Sequence, residues 1–385
     1  MNRLILIGNG FDLAHGMPTS YIDFIKWYLK KCFYLHLKRE KNSRLINIAY
    51  NPNYEQPYPT KTDIDTWVEG LNGSDFKLQN FGKGRYGDKG YTYPFIFYIN
   101  SEFFKALLDH CAVKRWVDVE AIFYDQLISI LELPRTKGRK NYDFMDEKES
   151  RLNVLHKDLH IIISNLEEYL LTVPNPPYIN AYERIFLEPI KIDDLDSKTK
   201  KEYTEQGYCD QPPKAVHVLN FNYTDTAEQY INRLSMTPSV SINNIHGKLE
   251  DNDNPMVFGF GDELDERYLQ MEREKSNGYY EHIKSFAYFK TSRYTELVRF
   301  TEMDEYQVLV LGHSCGLSDR TMLNMILEHK NCKSIKIYYH NKETGNNYTD
   351  TTYEIARHFK DKVVMRDRIV KLDKSEEMPQ VDRKA

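Results

Sequence analysis

The residues best suited to chemistry lie in short polar segments that follow apolar, strand-like runs. His246 and Gly247 follow the run 240–245, and imidazole suits general acid–base work because its ordinary pKa, about 6.5, lies near neutrality. Asn222 and Tyr223 end another such run, in "VLNFNYTD". Ligands of open α/β sheets bind outside the carboxyl ends of the strands. The sequence therefore predicts a site built from strand exits.

The chain begins with a glycine turn of the kind that can bind phosphate. The stretch "LILIGNGFDLAHGMPTSY" predicts a buried strand, a turn and a helix. Gly8 and Gly10 would let backbone N–H groups approach a pyrophosphate at a helix N-terminus, although they could also only permit a tight turn. The fingerprint of hydride-transfer enzymes needs a sixth-position glycine and a second strand about 20 residues on. Leu13 and a helix from Tyr21 stand there instead, which excludes that class.

Two more glycine turns follow strand-like runs. "VLVLGHSCGLSD" places Gly312, Ser314 and Asp319 after a strand, and the alternative is that Ser318 or Asp319 caps the next helix. "VFGFGDE" adds acidic residues after a glycine turn, without a specific role.

Periodicity predicts an α/β fold, a Rossmann-type parallel sheet with a large, mostly helical insertion after its first strand and glycine turn. Apolar runs predict strands at 3–7, 215–220, 240–245, 256–260, 307–311, 334–340 and 362–366. Helical spacing covers 20–38, 101–112, 116–131 and 147–172, and the stretches 50–95 and 192–213 are interpreted as loops. The sheet domain is then split into 1–30 and 213–385, and the insertion is 31–212. Because it follows the glycine turn directly, we expect it to lie over the site.

Composition limits the classes of function. The 385 residues carry a net charge of −5, so binding of nucleic acid through phosphates is not favoured. None of the five cysteines forms a C-x-x-C pair, so a zinc ribbon is not expected, and an odd, scattered count fits a reducing compartment. No apolar run approaches a signal peptide or a membrane span. We expect a soluble, cytoplasmic protein.

The first glycine turn also fits a more specific template. In "GNGFDLAHGMP", the glycines Gly8, Gly10 and Gly16 and the proline Pro18 resemble the sirtuin-type NAD loop G-A-G-x-S-x-x-x-G-I-P. The Asn-Tyr exit, the His-Gly pair and the G-x-S segment follow in sirtuin-like order. The resemblance implies a sirtuin-like core in which NAD contacts Gly8, Asn9, Gly10, Phe11, Asp12, Pro18, Thr19, Tyr223, Asp225, Gly247, Gly312, Ser314 and Asp319.

Several sequence motifs also resemble those of a narrower family. "LILIGNGFDLAHGMPTSYIDF", "FNYT", "NIHGK" and "FGFGDE" together resemble the AbiH family of bacterial phage abortive-infection proteins, and "RWVDVE" in the helical middle fits too. The resemblance implies an anti-phage effector that hydrolyses NAD at the nicotinamide N-glycosidic bond. His246 and Asn222 would be catalytic. Four-cysteine spacing is missing, so deacylation is less favoured, and no metal or further cofactor is expected.

One residue departs from the template. Asp12 replaces the usual serine of the sirtuin-type loop, and a carboxylate there would repel phosphate. It could bond a ribose hydroxyl or cap the helix instead.

Other functions stay open. The protein could bind NAD or ADP-ribose as a sensor or assembly module without turnover. It could also be a toxin directed at nucleic acid, with metal ligands among the carboxylates of "GDELDER": Asp262, Glu263, Asp265 and Glu266. The protein could form a homo-oligomer. We also expect a phage-derived or partner-protein trigger, since an unrestrained NAD hydrolase would kill its host.

Overall fold

The structure is a computed structural model that describes residues 1–41, 43–50, 59–71, 95–113, 118–134, 141–234 and 238–381. It divides into two compact units. The first consists of Met1–Pro18, Val173–Lys275 and Tyr280–Ala385. The second consists of Thr19–Thr172 and Ser276–Tyr279. The expected boundaries differ from this division, because residues 19–30 cluster with the helical unit and residues 173–212 with the sheet.

The elements follow in chain order. The strands are β1 (Asn2–Ile7), β2 (Ile46–Tyr50), β3 (Phe95–Ile99), β4 (Ala215–Asn220), β5 (Ser239–Asn244), β6 (Tyr306–Leu311), β7 (Cys332–Tyr339) and β8 (Glu376–Glu377). The helices are α1 (Asn9–Ala14), α2 (Tyr21–Leu37), α3 (Lys61–Glu69), α4 (Glu102–Val113), α5 (Val119–Leu131), α6 (Asn141–Thr172), α7 (Ala181–Leu187), α8 (Ser197–Glu205), α9 (Glu228–Ile231), α10 (Glu266–Arg273), α11 (Lys284–Tyr288), α12 (Arg293–Met303), α13 (Arg320–Leu327), α14 (Tyr348–His358) and α15 (Lys362–Arg368).

The first unit is built on a six-stranded sheet with the order β5-β4-β1-β6-β7-β8, in which every neighbouring pair is parallel. Numbered along the chain, its strands run 3-2-1-4-5-6, the order of the Rossmann sheet. The predicted α/β fold with a parallel sheet is therefore confirmed. The order reverses between β1 and β6, so the crevice that usually binds ligand lies where these two strands end.

Both faces of the sheet are covered, which explains the apolar runs. Leu4 and Leu6 of β1 pack into a core with α12, α13 and α14, whereas Ile5 and Ile7 pack on the other side with α1, α7 and α9. All six residues of β1 and of β6 are buried. Because a strand covered on both faces buries its side chains on both sides, apolar residues occupy consecutive positions and its sequence shows no alternation.

The exits of the two central strands touch each other. Gly10 N–H donates to Gly312 O at 2.9 Å, and a Cβ on Gly312 would lie 2.2 Å from Phe11 N. A side chain at either turn would push the turns apart. Gly10 and Gly312 therefore allow the backbone segments that follow β1 and β6 to approach each other closely.

Helix α1 ends in a Schellman motif that accounts for another glycine of the sequence motif. Gly16 has φ +78°, its N–H donates to Leu13 O, and Met17 N–H donates to Asp12 O. Left-handed backbone at this position favours glycine. Gly16 therefore terminates the short helix.

The second unit is mostly helical, with the antiparallel pair β2–β3 beside α2 to α6. Phe24, Trp27 and Tyr169 pack ring against ring, and Lys31 pairs with Glu168. Ser20 begins α2 with a capping box that includes Asp23. The predicted helices 20–38, 101–112, 116–131 and 147–172 correspond to α2, α4, α5 and α6, whereas Arg115 to Val117 of "RWVDVE" lie outside the described residues.

Four sequence predictions were wrong. Residues 362–366 form a helix because the Asp361 carboxylate caps it, accepting from Val363 N and Val364 N. Residues 256–260 make one isolated bridge, between Phe260 and Ile283. The predicted loop 50–95 contains α3, and the predicted loop 192–213 contains α8; a side-chain cap begins each helix. Residues 51–58 and 72–94 of the first loop lie outside the described residues.

We predict that Gly312→Ala destabilises the protein far more than Gly16→Ala. Both glycines have positive φ, but a Cβ at Gly16 meets nothing within 4 Å, whereas at Gly312 it meets backbone. Gly16→Ala should cost only the left-handed strain, about 1–2 kcal/mol. The free energy of unfolding, measured in urea, should fall by at least about 2 kcal/mol more for Gly312→Ala. Equal losses would contradict the close-approach explanation.

Candidate active site

A buried carboxylate organises one side of the sheet's carboxyl edge. Asp319 ends a short 3-10 helix after β6 and precedes α13, where the sequence suggested a helix cap. Its side chain makes no cap bond. Instead Lys284 Nζ lies 2.8 Å and His246 Nε2 3.1 Å from its Oδ1, and His313 Nε2 lies 3.8 Å from its Oδ2. We call these four residues, with Tyr288, the Asp319 cluster.

The charges of the Asp319 cluster follow from burial and pairing. Burial alone would raise the pKa of Asp319, but Lys284, then His246 and His313, hold that pKa well below its usual range. Burial first, and then Lys284, lowers the pKa of His246, although Asp319 opposes the shift. Burial lowers the pKa of His313 to about 4. At neutral pH the cluster therefore contains a carboxylate–ammonium pair and two neutral imidazoles.

Packing and backbone bonds fix the two imidazoles. The ring of Phe221, at the exit of β4, lies edge-on to His246 with centroids 5.1 Å apart and contacts His313 at 4.1 Å. Cys315, whose φ is +54°, donates its N–H to His313 Nδ1 at 3.0 Å. The proton of His313 then sits on Nε2, facing Asp319. Tyr288 Oη lies 3.4 Å from His246 Nε2.

A cavity of about 310 Å³ opens beside the Asp319 cluster. Its walls come from the turn after residue 260, from α11 and α12, and from the start of α13: Gly261, Glu263, Ser285, Phe286, Tyr288, Phe289, Thr291, Tyr294, Thr295, Asp319, Thr321 and Met322. Tyr288 and Tyr294 stack nearly parallel, and Phe289 is 85% exposed. Aromatic walls with the carboxylate of Glu263 suit a flat ring or a cation.

Asn222 directly follows Phe221 at the exit of β4. Its Nδ2 donates to Gly8 O at 3.1 Å, which ties the exit of β4 to that of β1. Its backbone N–H donates to Asn220, whose side chain donates to Asn244 at the end of β5. Among the bonds of the described residues, none joins Asn222 to His246 directly. Both predicted catalytic residues nevertheless lie at neighbouring strand exits.

Asp12 is buried beside Asn222. It is 1% exposed, and Thr224 Oγ1 donates to its Oδ2 at 2.7 Å. Burial raises its pKa to about 6, although hydrogen bonding from Thr224, Thr226 and Asn222 opposes the rise. Of these, only the Thr224 bond has full hydrogen-bond geometry, and Oδ1 has no partner in the described residues. We call these four residues the Asp12 cluster.

The glycine turn does not present its N–H groups as expected. Gly8 N–H donates to Leu311 O at 3.3 Å, Gly10 N–H to Gly312 O, and Phe11 N–H to Gly8 O. The phosphate cradle predicted from the sequence is therefore occupied by protein carbonyls in this structure. The reason is the close approach of the β6 exit, which the sequence did not reveal.

The remaining predicted site residues are spread along this edge. Asn9 and Phe11 lie on α1, where Phe11 is buried against Tyr182. Pro18 and Ser314 are exposed, and Thr19 is half-buried at the start of the second unit.

The predicted residues near β4 and β5 mainly hold loops together. Tyr223 Oη donates to Val257 O, and exposed Asp225 pairs with Lys248. Gly247 has φ +84° and packs on Pro255 O, where a Cβ would lie 2.1 Å away. These contacts fix the loop that follows His246.

Sequence reasoning missed three members of the Asp319 cluster. Lys284 and Tyr288 belong to a helix far from any motif, and only the fold brings them to the β6 exit. His313 carried a usable signal, because it directly follows the glycine that ends β6.

The acidic stretch "GDELDER" pairs with arginines. Asp262 Oδ2 accepts from Arg320 at 3.1 Å and Oδ1 from Leu264 N, while Asp265 binds Arg267 and caps α10. The carboxylates of Asp262 and Asp265 are therefore engaged in hydrogen bonds and ion pairs within the protein. The arrangement gives no support to a metal-dependent nuclease centred on them.

We predict that Lys284→Met costs about 3–5 kcal/mol of stability, because it leaves Asp319 as an unpaired buried charge. Lys290→Met, an exposed change on the neighbouring turn, should cost under about 0.5 kcal/mol. Urea unfolding at pH 7 measures both. Adding Asp319→Asn to Lys284→Met should recover part of the loss, and no recovery would contradict the ion-pair explanation.

We predict that Asp12→Asn gains stability relative to the wild type as pH rises. The raised pKa means that the folded protein holds this proton more tightly than the unfolded chain. Stability from Asp12 is thus present below pH about 4 and lost as pH passes 6, a change of roughly 3 kcal/mol. In the Asp12→Asn variant, the side chain at position 12 is an amide and does not titrate between pH 4 and 7. A stability difference that stays constant between pH 4 and 7 in urea unfolding would contradict the shift.

Comparison with known proteins adds the family. No helix in the described residues is long and apolar enough to cross a membrane. No curated protein and no solved structure gives a match. A sequence model of the family described as "Bacteriophage abortive infection AbiH" matches residues 4–341, nearly the whole chain. The chain therefore belongs to the AbiH family of bacteriophage abortive-infection proteins.

Proposed function

We propose that this abortive-infection protein acts by hydrolysing NAD at the nicotinamide N-glycosidic bond. The observation that carries the proposal is the His246–Asp319–Lys284 arrangement beside an aromatic, acidic cavity at the carboxyl edge of a Rossmann-ordered sheet. Loss of NAD would stop the metabolism of an infected cell.

The cavity suits the part of NAD that must be released. The nicotinamide ring of NAD is flat and positively charged, and the stacked tyrosines Tyr288 and Tyr294 offer aromatic faces. Glu263 adds a carboxylate to the same walls, whereas the charge of Asp319 is compensated by Lys284. The ring would leave neutral, so the reaction needs no strong general acid.

The Asp319 cluster suits the proton of the attacking water. Bond breaking gives the C1′–N electron pair to nicotinamide and leaves oxocarbenium character on the ribose, as in other glycoside hydrolysis. Water then adds its oxygen to C1′ and gives up a proton. Neutral His246 can take that proton, and Asp319 at 3.1 Å stabilises the imidazolium before it returns the proton to solvent.

Asn222 suits the sugar. Its Nδ2 is held by Gly8 O, so its carbonyl oxygen is left for other groups, such as a ribose hydroxyl or the attacking water. Oriented groups of this kind lower the barrier because their ordering is complete before reaction.

We predict that purified protein, with any trigger it needs, converts NAD to nicotinamide and ADP-ribose. His246→Ala should lower turnover at least about 100-fold, the usual contribution of a positioned acid–base group. Asn222→Ala should lower it by a similar factor, because it removes a group that orients the sugar or the water. Because both side chains are buried, the melting temperature is measured alongside, to show that each variant is folded at the assay temperature. Chromatography of the products measures turnover.

The matched control is His329→Ala, the same change at a histidine that pairs with Glu302 just before β7, at the amino edge of the sheet opposite the site. It should leave turnover unchanged. Full activity in both His246→Ala and Asn222→Ala would overturn the site assignment, and an inactive wild type in phage-infected cells would overturn the reaction.

A second candidate is nucleotide binding without turnover, as a sensor or assembly module. It uses the same aromatic, acidic cavity as hydrolysis but requires no general base. Tight binding of NAD or ADP-ribose without product would support it. A homo-oligomer and a phage-derived trigger remain part of either proposal.

A further inference from the structure

Asp12 is a buried carboxylate whose charge is not balanced by the protein. It is 1% exposed, and no salt bridge to it exists in the described residues. Only neutral groups act on it: Thr224 donates at 2.7 Å, and Thr226 and Asn222 lie close by. Its Oδ1 has no hydrogen-bond partner in the same part of the chain.

The other buried carboxylates near this edge are different. Asp319 contacts Lys284 at 2.8 Å, and Asp262 contacts Arg320 at 3.1 Å. Buried charges are normally paired, because removing a lone ion from water is costly. An unpaired one therefore needs an explanation outside the packing of the core.

Hydrogen bonding does not compensate Asp12. Its pKa stays raised, at about 6, despite the three polar neighbours. The dipole of α1 is a weak substitute, since the helix has six residues and Asp12 is the fourth. At neutral pH the side chain is thus mostly ionised and lacks a counter-charge.

The position of Asp12 indicates what could supply that counter-charge. Its helix follows the central strand β1, and Thr224 comes from the exit of β4, two residues after Asn222. Asn222 in turn bonds to Gly8. A sugar held by Asn222 would lie one side chain away from the carboxylate.

We propose that Asp12 is a specificity-determining residue whose negative charge favours a positively charged sugar ring in the site, and so stabilises the oxocarbenium character of the ribose during cleavage. This inference rests on the proposed NAD site. It also explains a carboxylate within a glycine turn: the ligand's pyrophosphate lies away from Asp12, and the reacting sugar lies toward it.

The test compares two ligands that differ in one charge and in the anomeric hydroxyl, which only ADP-ribose carries; the Asp12 variant isolates the effect of the charge. ADP-ribose has a neutral terminal sugar, whereas its pyrrolidine analogue, ADP-(hydroxymethyl)pyrrolidinediol, carries a protonated ring nitrogen at neutral pH. Calorimetry on the full chain gives both dissociation constants. We expect the wild type to prefer the cationic analogue at least tenfold, from one charge pair at short range in a partly buried site.

Asp12→Asn should remove most of this preference while the affinity for ADP-ribose stays the same or rises. Asp373→Asn, the same change at an exposed position after α15, should keep it. If Asp12→Asn does not fold, Asp12→Ser serves in its place, and melting temperatures identify folded variants.

The outcomes separate the two proposals. An equal preference in folded wild type and Asp12 variants, or none in the wild type, overturns the role of Asp12 whether or not NAD is cleaved. Absence of binding by either ligand overturns it too. Binding with the expected preference but without release of nicotinamide supports the charge assignment and overturns hydrolysis.

Discussion

The contact between the two central strand exits is the constraint on which the site depends. Gly10 N–H donates to Gly312 O, and neither turn has room for a side chain. This contact holds α1, with Asp12, on one side and the segment that leads to His313 and Asp319 on the other. A parallel sheet brings strand ends to one edge, and the glycine contact decides how closely two of them approach.

Two buried carboxylates near the carboxyl edge of the sheet lie in opposite environments. Asp319 is paired with Lys284, so its pKa is low and its charge is compensated, which suits the support of a histidine. Asp12 has only hydroxyl and amide neighbours, so its pKa is raised and its charge is not compensated. Environment can give two carboxylates two roles, as in the glycosidases. The proposed chemistry uses this difference.

Secondary structure was predictable where the pattern reflected burial. β1, β4 and β6 consist mainly of buried apolar residues because helices cover both faces of the sheet. Predictions failed where a cap decided the structure: Asp361 turns "KVVMRDR" into a helix, and Asp196 begins α8, in which Thr199 alone is buried. A polar helix has no apolar stripe, so its periodicity is invisible.

The sequence by itself determined the α/β class, the family, and the placement of Asn222 and His246 at strand exits, because these depend on local patterns and motif order. Only the tertiary structure decided that Lys284 pairs with Asp319, and that the N–H of Gly10 meets the protein and not a ligand. The partners involved are separated by 35 and 302 residues, and no local pattern encodes which distant group fills a given space.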